Sequence, residues 1–208
     1  MIFDYTVIWD SLPLYFGGVL VTLKLLAIAL FFGLLLAIPL ALMRTSRSPW
    51  VNGPAWLYTY VIRGTPMLVQ LFLVYYGLAQ FEAVRESVLW PYLSNATFCA
   101  CVAFAINTSA YSAEILAGSL KATPHGEIEA AKAMGMSRAK LYRRILLPSA
   151  LRRALPQYSN EVIMMLHTTS LASIVTLIDI TGAARTVSSQ YYPVSYTHLR
   201  AHETGRNL

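Results

Sequence analysis

The chain has 208 residues, of which 56% are hydrophobic and only 12% are charged, and its formal net charge is +6. Soluble domains carry about 25% charged residues, so this composition excludes an ordinary soluble protein and indicates a membrane protein. The positive charge does not predict a nucleic-acid surface, because residues 121–153 alone hold eight Lys/Arg and two acids and so supply the whole excess.

Four apolar segments are long enough to cross a bilayer as helices, since a hydrocarbon core of about 30 Å requires about 20 residues. An aromatic lead typical of the headgroup layer precedes the first of them. We place the spans at about residues 17–43, 56–81, 91–120 and 158–178. The sequence therefore predicts an all-α polytopic membrane protein.

Lys and Arg residues in the short loops predict how these spans are oriented, because such residues favour the cytoplasmic side. Arg44 and Arg47 follow the first span, and the basic loop 121–156 follows the third, so both are expected in the cytoplasm. The first ten residues carry Asp4 and Asp10 but no Lys or Arg. The N-terminus is therefore expected on the outer side.

The basic loop predicts two short amphipathic helices joined by a hinge. Residues 127–134 favour helix, and Gly135 interrupts them. A second helical run, 138–147, follows Ser137, which is a suitable N-cap, and we expect Pro148 to end it. A basic, hinged pair of helices is suited to docking, either on a partner protein or on anionic lipid.

Charged side chains inside the spans are candidate functional residues, because a membrane makes their burial costly. Glu114 is the main one, with Asn107 and Tyr111 on the same helical face at i−7 and i−3. Its carboxylate is suited to contact a cationic substrate or to bond a neighbouring helix. Glu161 lies nearer the cytoplasmic edge, where a cap or loop contact is the other interpretation. Arg63 either extends to the cytoplasmic headgroups or pairs with an acid in the bundle.

The loop also carries a long, spaced motif that matches the "EAA" loop of ABC-importer permeases, and the loop resembles that family's coupling element. The resemblance implies that a short cytoplasmic helix inserts into a groove on a separate ATP-binding subunit. The expected coupling residues are Glu129, Ala130, Ala131, Gly135, Ile145, Leu147 and Pro148.

The resemblance extends over residues 1 to about 192. Segments 63–77, 107–118 and 158–162 are similar to the second, third and fourth helices of polar amino-acid permeases. The whole closely resembles the M-type permease subunit of histidine/lysine/arginine/ornithine importers from Gram-negative bacteria. This implies the ABC type I importer transmembrane fold, with five membrane helices in the inner membrane. It also implies a homologous second permease subunit, an ATP-binding subunit dimer and a periplasmic amino-acid-binding protein as partners, together with membrane lipid.

Residues 193–208 depart from the family pattern, because they are polar and contain no apolar run that could form the fifth helix. They resemble a translated sequencing-adapter tail. The alternative is a short periplasmic tail that belongs to the protein. We therefore expect four of the five spans and a non-native segment at 193–208.

The predicted function is that of a permease subunit that forms the translocation pathway of an ATP-driven amino-acid importer. Histidine and other basic amino acids are implied as substrates by the resemblance alone. The sequence has no Gly-x-x-x-x-Gly-Lys-Ser/Thr motif, so ATP is expected on the partner subunit, with no cofactor, metal or catalytic site in this chain. The alternative is a stand-alone secondary transporter or channel for small polar solutes, although no clear internal repeat favours it. The possible substrate-pathway residues are Glu114, Asn107, Tyr111 and Glu161.

Overall fold

A computed structural model describes residues 5–191, and within them the chain is helical and contains no strand, which confirms the all-α prediction. The predicted non-native segment 193–208 lies outside the described residues. In chain order the α-helices are α1 Tyr5–Arg44, α2 Pro49–Gly64, α3 Met67–Phe72, α4 Glu82–Arg85, α5 Trp90–Leu93, α6 Ala96–Lys121, α7 His125–Ala133, α8 Arg138–Leu141, α9 Leu147–Thr168 and α10 Ile180–Tyr191. The remaining helical turns are the π-helical Leu73–Gly77 and Tyr142–Leu146 and the 3₁₀ Leu78–Gln80 and Thr169–Val175.

Two helices in the described part of the chain, Trp9–Arg44 and Ala96–Lys121, are each long and apolar enough to cross a membrane. Two further pairs of helices meet the same test when each bent pair is taken as one span, which gives up to four. These are Pro49–Gly64 with Met67–Gln80, and Ala139–Val175 with Ile180–Gln190. The number agrees with the four segments predicted from the sequence.

The chain divides into two compact units, of which the larger is Leu25–Thr169 and the smaller comprises the described parts of Met1–Lys24 and Ser170–Leu208. In the larger unit, α1 packs through small side chains. Ala29, Gly33, Ala37 and Ala41 recur every four residues, and all are buried. A Cβ atom on Gly33 would lie 2.1 Å from Cγ2 of Thr108 on α6. Small residues at this spacing let two membrane helices approach closely, where the apolar solvent itself gives no hydrophobic drive.

α6 is the central helix of the larger unit and contacts α2, α3, α5 and α9. It begins after Asn95, whose Oδ1 accepts hydrogen bonds from the amides of Thr97 at 2.9 Å and Phe98 at 3.2 Å. This N-cap satisfies two of the four amides that a helix start leaves without partners. The third predicted span began near residue 91, but the long helix begins at Ala96 because the cap starts it there.

The second predicted span, 56–81, contains a sharp break. α2 begins at Pro49, and the chain turns by 103° between Pro49–Gly64 and Met67–Gln80. Pro66 explains the break, because proline lacks an N–H and disfavours the helical conformation of the residue before it. Thr65 is accordingly extended, with φ −105° and ψ 137°.

Gln70 satisfies the carbonyl groups that this break exposes. It is buried, and its Nε2 donates to the carbonyl oxygens of Ile62 at 2.6 Å and Thr65 at 3.1 Å. The same nitrogen lies 2.8 Å from the Thr65 hydroxyl. Irregular backbone at membrane depth is tolerated only when its polar groups find partners inside the protein. Gln70 therefore makes the turn between α2 and α3 possible.

Gly135 ends α7 in a Schellman motif, as its predicted hinge role requires. Its φ is +70°, its amide donates to the Lys132 carbonyl at 2.9 Å, and the Met136 amide donates to the Ala131 carbonyl at 3.1 Å. Glycine adopts this left-handed conformation without the steric cost that a Cβ imposes. The next helix starts directly after Ser137, as predicted, with the Lys140 amide 3.5 Å from the Ser137 hydroxyl.

The prediction that Pro148 ends the second loop helix was wrong. The chain passes through the π turn Tyr142–Leu146, where the Leu147 amide donates to the Tyr142 carbonyl, and continues as α9 to Thr168. Proline fits the first turn of a helix, because its missing N–H would have no intrahelical partner there. Pro148 therefore starts α9 instead of ending the previous run.

The smaller unit is organised around Asp179, which caps the start of α10. Its Oδ1 accepts from the Gly182 amide at 2.8 Å, and the side chain is fully buried. Thr22 of α1 accepts from the Ile180 amide at 3.3 Å. A Cβ on Gly18 would lie 2.8 Å from the Asp179 carbonyl oxygen, so the backbones are in direct contact. Asp179 and Gly182 therefore belong to the start of α10, and the preceding helical turn ends at Val175.

Candidate functional site

A cavity of about 920 Å³ opens in the larger unit, between the α2–α3 turn and the facing sides of α6 and α9. This volume falls in the range of about 300–1,000 Å³ that small-molecule sites occupy. Its polar lining has charges of both signs. The polar and charged residues of the wall are Arg63, Thr65, Asn107, Tyr111, Glu114, Gln157, Asn160, Glu161 and Thr168.

α6 forms one wall of this cavity, and the wall is the helical face on which the candidate residues were predicted to lie. Asn107, Tyr111 and Glu114 all line it, as residues spaced by three and four on one helix must. Glu161, on α9, lines the opposite side. The structure therefore brings together the four residues that were predicted as pathway candidates. Their contact with a substrate stays a prediction.

The Glu114 carboxylate is held by partners from two other helices. Nε of Arg44, at the end of α1, lies 2.6 Å from its Oε1, and Nη2 lies 3.3 Å from its Oε2. The Thr59 hydroxyl on α2 donates to the same Oε1 at 2.7 Å. Asn52 accepts a further hydrogen bond from Arg44. A two-pronged guanidinium–carboxylate pair of this kind is among the stronger polar contacts in proteins, and it ties α1, α2 and α6 together.

Glu161 has a different environment. Its Oε1 accepts a hydrogen bond from the Thr108 hydroxyl at 3.1 Å, and the side chain is partly buried. No basic side chain among the described residues lies within ion-pair distance of it. The prediction of a cap or loop contact does not apply, since Glu161 lies inside α9 and faces α6.

Arg63 lies over an aromatic ring at the cavity wall, with its guanidinium carbon 5.2 Å from the centroid of Tyr111. This is cation–π distance. Of the two predicted possibilities, an ion pair in the bundle is not observed among the described residues, and contact with the headgroups stays a prediction. The positive charge consequently stands at the edge of the same cavity as Glu161.

Asn107 links the cavity wall to the turn between α2 and α3. Its Nδ2 donates to Oε1 of Gln70 at 3.1 Å, and both side chains are buried. Since Gln70 also bonds the end of α2, one pair of amides fixes α6 against the broken helix. The position of Arg63 at the last turn of α2 depends on this bracing.

Helix α7, predicted from the resemblance to be the coupling helix, presents part of its motif to solvent. Glu129 and Ala130 are exposed, whereas Ala131 is 2% exposed and faces inward. Met134 is 78% exposed. An exposed large apolar side chain beside an exposed charge is typical of an interaction surface.

The second half of the motif lies beside the first. Ile145 is in the π turn that contacts α7, and it is partly buried. Leu147 and Pro148 are exposed at the start of α9. The fold thus gathers the two halves of the motif on one side of the larger unit, although nine residues of sequence separate Gly135 from Ile145.

Arg153 connects this loop to the end of α6. Its guanidinium donates to the Thr123 hydroxyl at 2.6 Å, to the Ser149 hydroxyl at 2.8 Å and to the Ser119 carbonyl at 3.3 Å. Ser149 in turn donates to Glu127 of α7 at 3.2 Å. The charge of Arg153 therefore acts inside the protein.

Sequence reasoning did not identify the partners of the candidate residues. Arg44 was used only to orient a loop, and Thr59, Gln70 and Thr108 are uncharged residues in apolar segments. One signal for Arg44 was present, because Glu114 is the only acid in α6 and a buried acid requires a compensating charge. Nothing comparable marked the other three.

The chain is similar to proteins of known transport systems. A family model described as the inner membrane component of binding-protein-dependent transport systems matches residues 29–198. The octopine transport system permease protein OccM of Rhizobium meliloti is 50% identical over 195 residues, which cover 93% of this chain and 80% of the relative. The histidine/lysine/arginine/ornithine transport system permease protein HisM of Salmonella typhimurium is 47% identical over 178 residues, covering 85% and 76%.

Solved structures agree with these matches. The crystal structure of an amino acid ABC transporter with histidines superposes with a TM-score of 0.80 and 36% identity, over 92% of this chain and 86% of that chain. The inward-facing MetNI methionine ABC transporter gives a TM-score of 0.69 at 18% identity, which shows the fold alone. The predicted type I importer transmembrane fold is confirmed.

Proposed function

This chain belongs to the family of inner membrane components of binding-protein-dependent transport systems, and we propose that it forms the translocation pathway of an ATP-driven importer for basic amino acids. The cavity carries this proposal, because it combines Arg63 with Glu161 across a space of amino-acid size. Arg63 is suited to the substrate's α-carboxylate, and Glu161 with the Tyr111 ring is suited to a cationic group. The substrate class also follows the name of the histidine/lysine/arginine/ornithine permease that the chain resembles.

Energy for transport comes from a partner in this proposal. The exposed residues Glu129 and Ala130 of α7, with Met134 beside them, form the surface that docks on an ATP-binding subunit. The Arg153 cluster then passes displacement of α7 to the cytoplasmic end of α6, the helix that carries one wall of the cavity. The chain itself is not the ATPase, and ATP is bound by the partner.

The complete importer that we propose contains a homologous second permease subunit, a dimer of ATP-binding subunits and a periplasmic binding protein. It lies in the bacterial inner membrane with the α7 loop in the cytoplasm and the N-terminus in the periplasm, as the Lys/Arg bias of the loops favours. A stand-alone secondary transporter is not favoured, since the family match is to components of multi-subunit systems.

Co-purification tests the proposal. The tagged chain is expressed with its ATP-binding subunit and its second permease subunit, extracted in detergent and examined for bound ATPase. We expect the ATPase to co-purify with the native sequence and to be lost with Glu129→Lys, which reverses an exposed charge on α7.

The matched control is Glu82→Lys, the same charge reversal at an exposed position of α4 outside the loop. It should retain the ATPase. Absence of the ATPase from the native preparation would refute the importer function. Equal losses from both variants would show that α7 is not the docking surface.

A further inference from the structure

Two carboxylates face one cavity but differ in how their charge is compensated. Glu114 receives a guanidinium at 2.6 Å and 3.3 Å and a hydroxyl at 2.7 Å. Glu161 receives only the Thr108 hydroxyl, at 3.1 Å, among the contacts of the described residues. Two glutamates that line the same cavity therefore present unequal negative charge to a ligand that enters it.

Arg44, which lies outside the cavity, causes this difference in charge between Glu114 and Glu161. It is not among the described residues that line the space, and its side chain is 12% exposed against 23% for Glu114. Asn52 fixes the guanidinium on its far side. The cation thus stands behind Glu114, where a substrate cannot reach it, and neutralises a wall residue that a substrate can reach.

From this arrangement we propose that Arg44 is a specificity-determining residue, which sets how strongly the cavity prefers a cationic amino acid over a neutral one. The inference rests on the proposed function of the cavity. With Arg44 present, Glu161 is the acid left for a substrate cation, balanced by Arg63 for the substrate carboxylate. Without Arg44, the cavity holds a second carboxylate that has no ion-pair partner among the described residues, and it attracts cations more strongly.

If Arg44 acts through its charge, the direction in which each substitution changes substrate preference can be predicted, whereas a purely structural role predicts no direction. Removing Arg44 leaves Glu114 negative, which favours a cation, whereas removing the charge of Glu114 leaves Arg44 positive, which disfavours one. At the dielectric constant of water, a unit charge about 4 Å away changes binding by roughly fivefold, so in a water-filled cavity we expect a change of roughly three- to tenfold. The two single changes should therefore move substrate preference in opposite directions.

Arginine and citrulline are the probes, because they have almost the same shape and differ by one positive charge. The assembled importer, with both permease subunits and the ATP-binding dimer in lipid nanodiscs, is titrated with each amino acid in the absence of the binding protein. We measure the ratio of the two Kd values for the native chain, Arg44→Gln, Glu114→Gln and the double variant. Arg44→Lys, which keeps the charge, is the conservative control.

We expect Arg44→Gln to increase the preference for arginine by roughly three- to tenfold and Glu114→Gln to decrease it by a similar factor. The double variant and Arg44→Lys should return to within about twofold of the native ratio. If Arg44→Gln alone does not assemble, the double variant compared with Glu114→Gln still isolates the Arg44 charge, and the preference should rise.

Two results overturn the inference while leaving the proposed function in place. Either both single variants move the ratio in the same direction, or the native complex binds arginine and no variant changes its preference. A native complex that holds the ATPase but binds neither amino acid overturns the proposed substrate and this inference together.

Discussion

Replacing Gly33 by alanine should separate α1 from α6 and destabilise the protein. The new Cβ would lie 2.1 Å from Thr108 Cγ2 and 3.3 Å from the Ala105 carbonyl oxygen. Thr108 is fully buried, and rotating it away would remove its hydrogen bond to Glu161. Overpacking costs about 1–3 kcal/mol and loss of a hydrogen bond to a carboxylate about 1.5–3, so we expect a net loss of about 2.5–6 kcal/mol.

The assay is the thermal midpoint of the detergent-solubilised protein, followed by fluorescence-detected size-exclusion chromatography. For a chain of this size the expected loss corresponds to a decrease of roughly 5–25 °C. The matched control is Gly53→Ala on α2, where an added Cβ meets nothing within 4 Å, and the midpoint should not fall.

A second-site change identifies the atom responsible. Thr108→Ser removes the methyl group that clashes and keeps the hydroxyl that bonds Glu161, so the Gly33→Ala/Thr108→Ser double variant should recover most of the lost stability. The reasoning is refuted if Gly33→Ala has a native midpoint, or if adding Thr108→Ser recovers none of the loss.

Three further changes test other features by the same thermal assay. Gly135→Ala should cost about 1–2 kcal/mol, because its φ is +70°, whereas Gly126→Ala in α7 should be neutral or stabilising, since it has open space and no such constraint. Gln70→Ala should cost about 1–3 kcal/mol by leaving buried carbonyl groups without partners, and an unchanged midpoint would contradict its bracing role. Gly18→Ala should lower the midpoint, because its Cβ would lie 2.8 Å from a backbone oxygen, while Gly17→Ala, with nothing within 4 Å, should not; equal effects would argue against this contact.

The sequence predicted only part of where the helices of this chain break and begin, as Pro66 and Pro148 demonstrate. Each lies in a segment that we expected to be simple, and their outcomes are opposite. Pro66 breaks the predicted span 56–81, and the break is tolerated because Gln70 bonds the carbonyl groups that it exposes. Pro148, expected to end a helix, instead occupies the first turn of α9, because a π turn precedes it. A proline restricts the local backbone, but the available partners decide whether the chain turns or continues.

The candidate site was also only partly predictable from the sequence. Helical spacing along α6 was sufficient to place Asn107, Tyr111 and Glu114 on one face, because that spacing is a property of a single helix. The partner of Glu114 was not predictable, since Arg44 is 70 residues away and reaches it through the packing of α1 against α6.

The sequence by itself determined that this is a helical membrane protein, that its positive charge lies in one loop, and that the helices of this loop are hinged at Gly135. These are properties of composition and of local backbone geometry, which need no distant contact. Only the tertiary structure decided that Glu114 is neutralised while Glu161 is not, and that Arg153 acts inside the protein. Those outcomes depend on which helices pack together, and in this chain glycine and alanine at the contacts allow buried charges to meet their partners.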